Sequence, residues 1–309
     1  ADEGQVGVVL AVGVPSGDDG VPVFLDAAAV LIDSQAAVDA GLNLAVLGLI
    51  AEHAVLAAAG DVTGEIGVVA GEEPDGPRLV LAEAFGMPLD KFRFVCPDVG
   101  GGFGLRNNLY PEQATIIWAS KRIGRPVKWT NDRSESFLAD YGGRDLVTTA
   151  KLALTKDGRI TAYHVNHIGT CGGQTVTYVP LSNAYRVATT VYDIPLMHMR
   201  CRSMMTNTVP TAPFRGAGRP EANYLMERLI EQAAREMRLD PAVVRRRNLI
   251  APASLPYRTY MGDVYDSGVF AGVLEKVLKA ADWDRFAARK EESRRRGRLR
   301  GRGLSQYLV

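Results

Sequence analysis

Two stretches of the chain carry side chains whose type and spacing could do chemistry. In Thr211-Ala-Pro-Phe-Arg-Gly-Ala-Gly-Arg-Pro-Glu221, Arg215 lies between Pro213 and a Gly-Ala-Gly run. Arginine is a permanently charged, planar fork of donors, and small neighbours let the backbone come close to a ligand. That combination suits binding of an anion, or stabilisation of negative charge as it develops. On residue types alone, a structural ion pair in a tight loop fits equally well. Arg219-Pro-Glu221 then opens an apolar periodic stretch running to residue 238, with Pro220 placed as its first helical residue. The loop therefore feeds a helix N-terminus, where unpaired N–H groups favour anions.

The second stretch is Asp98-Val-Gly-Gly-Gly-Phe-Gly104. Successive glycines reach dihedrals closed to other residues and leave backbone donors to line an anion or cofactor, while Phe103 adds a flat apolar face. The spacing is neither the Gly-x-Gly-x-x-Gly of dinucleotide folds nor a P-loop. A purely structural turn stays open as an alternative. His164 and His167 are three apart in a predicted strand, which points them to opposite faces and argues against a metal pair. His198 reads as a strand residue. Cys96, Cys171 and Cys201 lie far apart with no Cys-x-x-Cys pair, so neither a disulfide framework nor a zinc site is expected, and a reducing compartment is.

The elements that must position these stretches follow from periodicity. A short helical turn over residues 81–86 leads into a strand over residues 92–96, immediately ahead of the glycine run. Residues 111–123 read as a helix, with Pro111 and Glu112 at its start, basic residues in its last turn and Gly124 beyond. Residues 125–130 return as a strand. Residues 146–154 and 160–167 flank a hairpin turn at Lys156-Asp-Gly158. A strand around residues 197–202 then delivers the chain to the Arg215 stretch, an order of strand, loop and helix by which sheets often present functional groups. Beyond the helix, residues 241–249 form a second one, and Ser267 is expected to cap a third through Leu274 and Leu278. Residues 285–302 are crowded with arginine but interrupted by Glu291 and Glu292, and read as a solvated helix rather than a nucleic-acid arm. The last residues, from Gly301, read as a strand.

Composition bounds the class. With 47% hydrophobic and 23% charged residues, the 309-residue chain has material for a large core and is globular in character. The net charge of +1 conceals a division: residues 1–79 hold 13 acidic side chains and one basic, Arg78, and the remainder 35 basic and 22 acidic. The apolar run over residues 42–59 contains Glu52 and His53 and has no basic flank, so a membrane span or signal peptide is not expected. A buried helix after Ser34 or Asp39 is. We divide the chain into an atypical acidic segment, residues 1–79, left unassigned, and a domain over residues 80–309.

The motifs combine. Gly100-Gly-Gly-Phe-Gly-Leu-Arg106, Tyr110-Pro-Glu112, Gly124-Arg-Pro-Val-Lys-Trp129, Asp132-Arg-Ser-Glu135, Thr206-Asn-Thr-Val-Pro210, Phe214-Arg-Gly-Ala-Gly-Arg-Pro-Glu-Ala222, Arg245-Arg-Arg-Asn-Leu249 and Tyr265-Asp-Ser-Gly268 occur in this order. Together they resemble the molybdopterin-binding large subunit of the xanthine dehydrogenase and aldehyde oxidase family, in the form often labelled carbon-monoxide dehydrogenase large subunit form II. The resemblance implies an α+β fold, the first molybdopterin-binding domain of a molybdenum hydroxylase, with mixed sheets and packed helices. It implies a molybdenum–molybdopterin cofactor, or its cytosine dinucleotide form, contacted by Gly101, Gly102, Phe103, Gly104, Phe214, Arg215 and Gly216, with no protein side chain ligating the metal. Arg215 would be the catalytic residue, orienting a small organic substrate such as an aldehyde or N-heterocycle. Electrons would pass to 2Fe-2S and FAD on iron–sulfur and flavin subunits in a cytoplasmic hetero-oligomer.

Departures from the pattern refine this expectation. Gly216 stands where copper-containing relatives have cysteine directly after the arginine, which implies a substrate other than carbon monoxide. The glutamine that normally precedes the glycine loop has no counterpart, and the glutamate base would lie beyond Val309, in a second cofactor domain. The chain is thus expected to be insufficient for catalysis alone. A truncated relative acting as a scaffold is the second reading, and a basic-tailed nucleic-acid binder the third.

Overall fold

The computed structural model describes residues 6–13, 29–32, 55–60, 66–69, 75–95 and 101–308. Its largest sheet is built from β1 (Val6–Gly13), β2 (Ala29–Ile32), β7 (Leu146–Leu154), β8 (Ile160–Gly172) and β9 (Met197–Met205), in the order β2-β1-β7-β8-β9. β7 and β8 are an antiparallel hairpin closed by Thr155 N–H to Arg159 O at 2.9 Å and Gly158 N–H to Thr155 O at 2.9 Å. β8 and β9 run parallel, as do β1 and β7. A parallel pair needs a crossover, and between β8 and β9 it carries helix α4 (Val179–Arg186).

A second sheet has the order β5-β4-β3-β6, from β3 (Val55–Gly60), β4 (Ile66–Val69), β5 (Phe92–Val95) and β6 (Val127–Thr130). Helices α1 (Asp75–Phe85) and α2 (Pro111–Ile123) bury Leu81, Ile116 and Ile117 against Phe92, with Trp129 packed alongside. The short turn expected over residues 81–86 is thus the end of an 11-residue helix. Pro77 masked its start, yet proline is tolerated in a first helical turn, where its missing N–H has no intrahelical partner. Helix α3 (Arg133–Ala139) follows, with Asp132 accepting from the Glu135 N–H at 2.8 Å as its N-cap.

Helix α5 (Arg219–Met237) crosses one face of the five-stranded sheet. Met226, Leu229 and Ile230 meet Leu152, Tyr163, Val165 and Met197 in the main core. Each such side chain contributes about 1.5–3 kcal/mol on leaving water. Helix α6 (Pro241–Asn248), capped by Asp240 on the Ala242 N–H at 2.7 Å, packs on α5. Its last residue locks it to the hairpin: Asn248 Oδ1 accepts from Ile160 N–H at 2.7 Å, and Nδ2 donates to Gly158 O at 2.8 Å. Arg245 is fully buried, with Nη2 2.7 Å from Glu227 Oε2, Nη1 2.9 Å from Glu231 Oε1, and Nη2 donating to Leu304 O at 2.7 Å. The Tyr192 hydroxyl donates to the other Glu227 oxygen.

Other expectations are corrected. β8 continues past His167 to Gly172, because it is paired on both sides by β7 and β9 almost to its end. Ser267 does not cap helix α7 (Phe270–Ala280); its hydroxyl donates to Asp266 Oδ1 at 2.9 Å, and Val269 precedes the helix without a side-chain cap. The predicted terminal strand is absent among the described residues, since the tail finds no sheet edge. It is pinned instead by Asn223 to the Ser305 hydroxyl at 3.1 Å, by Arg245 to Leu304 O, and by Gln306 to Phe270 O at 3.2 Å. The arginine-rich stretch is helical over α8 (Phe286–Arg295), and Arg302 stacks on Trp283 with its guanidinium 3.6 Å from the ring centroid. The helix expected after Ser34 or Asp39, and Cys96 and Gly100, lie outside the described residues.

Candidate active-site wall

Three loops meet at the site. The turn after β5 holds Gly101, Gly102, Phe103 and Gly104 and passes into a short 3-10 turn over Leu105–Asn107. Three of its carbonyls are taken up by protein donors: Gly102 O by Arg106 N–H, Gly104 O by Asn107 N–H, and Phe103 O by Arg215 N–H at 2.9 Å. Gly104 has φ +90°, and a Cβ there would lie 2.8 Å from Pro213 O. Only glycine allows the glycine turn and the Arg215 loop to touch at this point.

The second loop runs from residue 210 to residue 218. Its Phe214 is half-buried, Arg215 is exposed, and Gly216 lies partly covered at the turn, with its carbonyl accepting from Arg219 N–H at 3.0 Å. The Arg215 guanidinium lies 6.0 Å from the centroid of the Phe103 ring, at the outer limit of a cation–π contact. The two stretches singled out from the sequence are therefore adjacent in space. Gly218, at φ +92°, ends the loop against α4: a Cβ would sit 1.9 Å from Pro180 O. At both Gly104 and Gly218 the close approach is of protein backbone to protein backbone, rather than to a ligand. The helix that follows begins at Arg219 with Gly218 as N-cap, so Pro220 is its second residue, not its first.

The third loop, residues 142–145, was not singled out from the sequence. Gly142 N–H donates to Pro210 O at 2.9 Å and Gly142 O accepts from Ala212 N–H at 2.9 Å. Arg144 donates to the carbonyls of Phe214 and Arg215, and pairs with Glu221 at 3.2 Å. Behind the three loops lies a small core of Leu105, Tyr110, Tyr141 and Ala212, with Phe214 against it. Tyr110 and Tyr141 stack with centroids 4.3 Å apart, and the Tyr141 hydroxyl donates to Leu109 O at 2.6 Å. The Tyr110 hydroxyl bonds to Asp140, which also faces Arg106 at 3.8 Å. Burial, reinforced by Asp140, raises the Tyr110 phenol, and burial pushes Tyr141 up to about 12. Both stay protonated near neutrality and serve as fixed donors. The signal for the third loop was Tyr141-Gly-Gly-Arg-Asp145, a glycine pair and a cation just before a strand.

The histidines lie elsewhere. His164 and His198 stack at 5.0 Å across β8 and β9, and burial together with His198 lowers the His164 imidazole. His167 points to the opposite face, is buried, and contacts the Thr148 hydroxyl through Nδ1 at 2.6 Å. Among the described residues no group of three or more His, Cys, Asp and Glu side chains could hold a metal ion, and no helix is long and apolar enough to cross a membrane.

Comparison with known proteins agrees with this architecture. The family described as Molybdopterin cofactor-binding domain matches residues 49–249. Among curated proteins, the carbon monoxide dehydrogenase large chain of Hydrogenophaga pseudoflava is 36% identical over 77% of this chain and 30% of its own length. The nicotine 6-hydroxylase large subunit of Paenarthrobacter nicotinovorans is 30% identical over 78% of this chain and 30% of its own. The chain thus spans about a third of the length of these relatives. Among solved structures, quinoline 2-oxidoreductase of Pseudomonas putida 86 superposes with a TM-score of 0.75 at 28% identity, covering 79% of this chain and 32% of that one. A Cu,Mo-CO dehydrogenase does so with 0.72 at 29% identity, with the same two coverages. By matched family, relatives and fold, this chain belongs to the molybdopterin cofactor-binding domain family, among the large subunits of molybdenum hydroxylases of the xanthine dehydrogenase and aldehyde oxidase type.

Proposed function

We propose that the surface made by Gly101, Gly102, Phe103, Gly104, Phe214, Arg215 and Gly216 is one wall of a molybdenum–molybdopterin pocket. The chain would act as part of a catalytic subunit that oxidises an aldehyde or N-heterocycle. The observation that carries this reading is the junction of Phe103 and Arg215, two residues 112 positions apart joined by a backbone hydrogen bond and a ring–guanidinium contact. The residues suit an anionic, oxygen-rich group: three of the glycine turn's carbonyls are occupied by protein, an exposed permanent cation stands beside the turn, and the Phe103 ring lies against that cation. When bound, the cofactor supplies hydroxylation with oxygen from water and accepts the substrate's two electrons.

The role of this chain's residues is binding and orientation. The Arg215 guanidinium offers paired donors to a substrate oxygen or nitrogen, and favours the arrangement in which negative charge has built up there. Phe103 and Phe214 supply flat apolar surface that keeps water from a planar substrate. Tyr110 and Tyr141 hold the loops from behind. The remainder of the large subunit would supply the second wall and the glutamate base, and 2Fe-2S and FAD on partner subunits would take the electrons, in a cytoplasmic hetero-oligomer.

The test is a purification of the assembled enzyme with its neighbouring subunits, followed by metal and pterin analysis; a complex without molybdenum and pterin would sink the reading. In that complex Arg215→Lys keeps the charge but loses the fork. Loss of a charge-assisted contact worth about 1.5–3 kcal/mol lowers turnover about 10- to 100-fold, with cofactor content maintained. Equal losses in turnover and cofactor content would make Arg215 a structural residue.

A further inference from the structure

We infer that Arg144 is a positioning residue for Arg215, holding the loop that aims it; this rests on the reading of Arg215 given above. Arg144 stands at φ +59°, in the left-handed region that residues other than glycine seldom occupy. Such a conformation persists where the surroundings over-determine it, and it often marks a functional constraint. Its surroundings are specific. Nη2 donates to Phe214 O at 3.3 Å and to Arg215 O, while Nη1 donates to both oxygens of Glu221 at 3.2 Å. The same guanidinium lies 5.2 Å from the Phe214 ring centroid. The loop bearing Arg144 is itself fixed on the Arg215 loop, through the two Gly142 bonds and through Gly143, where an added Cβ would lie 3.0 Å from Phe214 Cβ.

The physical consequence concerns aim. Arg215 is exposed and long, so the direction of its fork depends on how firmly its own backbone is held. The Phe103 carbonyl holds its N–H, and Arg144 holds its carbonyl and the one before it. Glu221, in the first turn of α5, orients Arg144 in turn. The peptide units on either side of Arg215 are thereby tied to the glycine turn, the 142–145 loop and α5. A planar five-donor group can bridge two carbonyls and a carboxylate together; a lysine ammonium lacks that fork.

The experiment is a double-mutant cycle in the assembled holoenzyme, with kcat, KM, molybdenum and pterin content, and the Mo(V) electron paramagnetic resonance line shape as readouts. Arg144→Met is expected to lower turnover about 10-fold in the same kinetic parameter as Arg215→Lys, and less than about 2-fold in the Arg215→Lys background. Molybdenum and pterin content should be unchanged, the line shape altered as in Arg215→Lys, and Arg144→Lys intermediate. If Arg144→Met fails to accumulate folded, Glu221→Gln loosens the same guanidinium and is expected to cost about 3-fold with the same non-additivity. Multiplicative effects, or loss of cofactor in proportion to activity, would overturn the inference. A costly Arg215→Lys beside a silent Arg144→Met would overturn it alone, whereas a silent Arg215→Lys would remove the Arg215 reading as well.

Discussion

Arg245 and Arg215 are the same residue type put to opposite uses, and the regions around them differ in what holds them. Arg245 is fully buried, and its guanidinium bonds to Glu227, Glu231, Pro241 O and Leu304 O. It sits where α5, α6 and the tail meet, beside a core of Met226, Leu229 and Ile230. Arg215 is exposed, and its loop is fastened by backbone hydrogen bonds, one flanking arginine and a four-residue apolar cluster. A guanidinium with every donor turned inward locks elements together. One held through its backbone and a single distant ring contact remains available to reach outward.

The comparison is strained hardest by removing the locked arginine. Arg245→Met leaves the Glu227 carboxylate and the Tyr192 hydroxyl buried without their cation. Burial already holds the Glu227 carboxyl above its ordinary range even with Arg245 present. Breaking one side of a buried pair costs about 3–5 kcal/mol, read as a fall in unfolding free energy by denaturant titration. Replacing both partners, Arg245→Met with Glu227→Met, should recover much of that loss, since the desolvation of two charges is then relieved together. A single replacement costing under about 1 kcal/mol would show that the network is not what locks α5 to α6.

Beside the main core, β8 also carries a buried histidine, a residue type that the site loops do not contain. Burial lowers the His167 imidazole to about 4, so it is neutral in the folded chain at neutral pH. Above the ordinary value near 6.5 both folded and unfolded forms are neutral, and the group contributes no pH dependence. Between about 6.5 and about 4 the unfolded chain takes up a proton that the folded one refuses, so stability falls as pH falls, by about 3 kcal/mol in all. His167→Gln should flatten the unfolding free energy across that window. An unchanged slope would assign the acid sensitivity to other groups.

The two regions also differ in how far they could be read from residues alone. The main core was legible: the periodic stretch after Arg219, the hairpin at Lys156-Asp-Gly158 and the short helix after Pro241 each carry their signal within ten to twenty residues. The parallel pairing of β1 with β7 joins Val8 to Thr148, and nothing local in either strand specifies a partner so distant. At the site, the residue types of Phe103 and Arg215 suggested anion chemistry, but their adjacency came only from the family resemblance. Arg144 was missed because its role lies in backbone carbonyls of another loop, which any sequence would present. Ser267 misled for a related reason, since a side chain able to cap a helix can equally bond a neighbouring carboxylate.

The mildest intervention tests whether the loops at the site form a cooperative unit of their own. Gly104→Ala adds one methyl group at φ +90°, where its Cβ would press on Pro213 O at 2.8 Å. The left-handed conformation alone costs about 1–2 kcal/mol. Pro213 O belongs to the backbone, so the contact is relieved by parting the Arg215 loop from the glycine turn, which the Phe103–Arg215 backbone bond opposes. The expected result is therefore a loss of about 1–2 kcal/mol in unfolding free energy, with faster amide exchange confined to residues 102–107 and 213–216 and exchange in α5 unchanged. The Arg215 N–H to Phe103 O bond spans those two segments and should be the first to open. If the loss instead matched that of Arg245→Met, or exchange rose throughout α5, the loops would share the cooperativity of the core. The contrast between a locked arginine and a reaching one would then be one of exposure only.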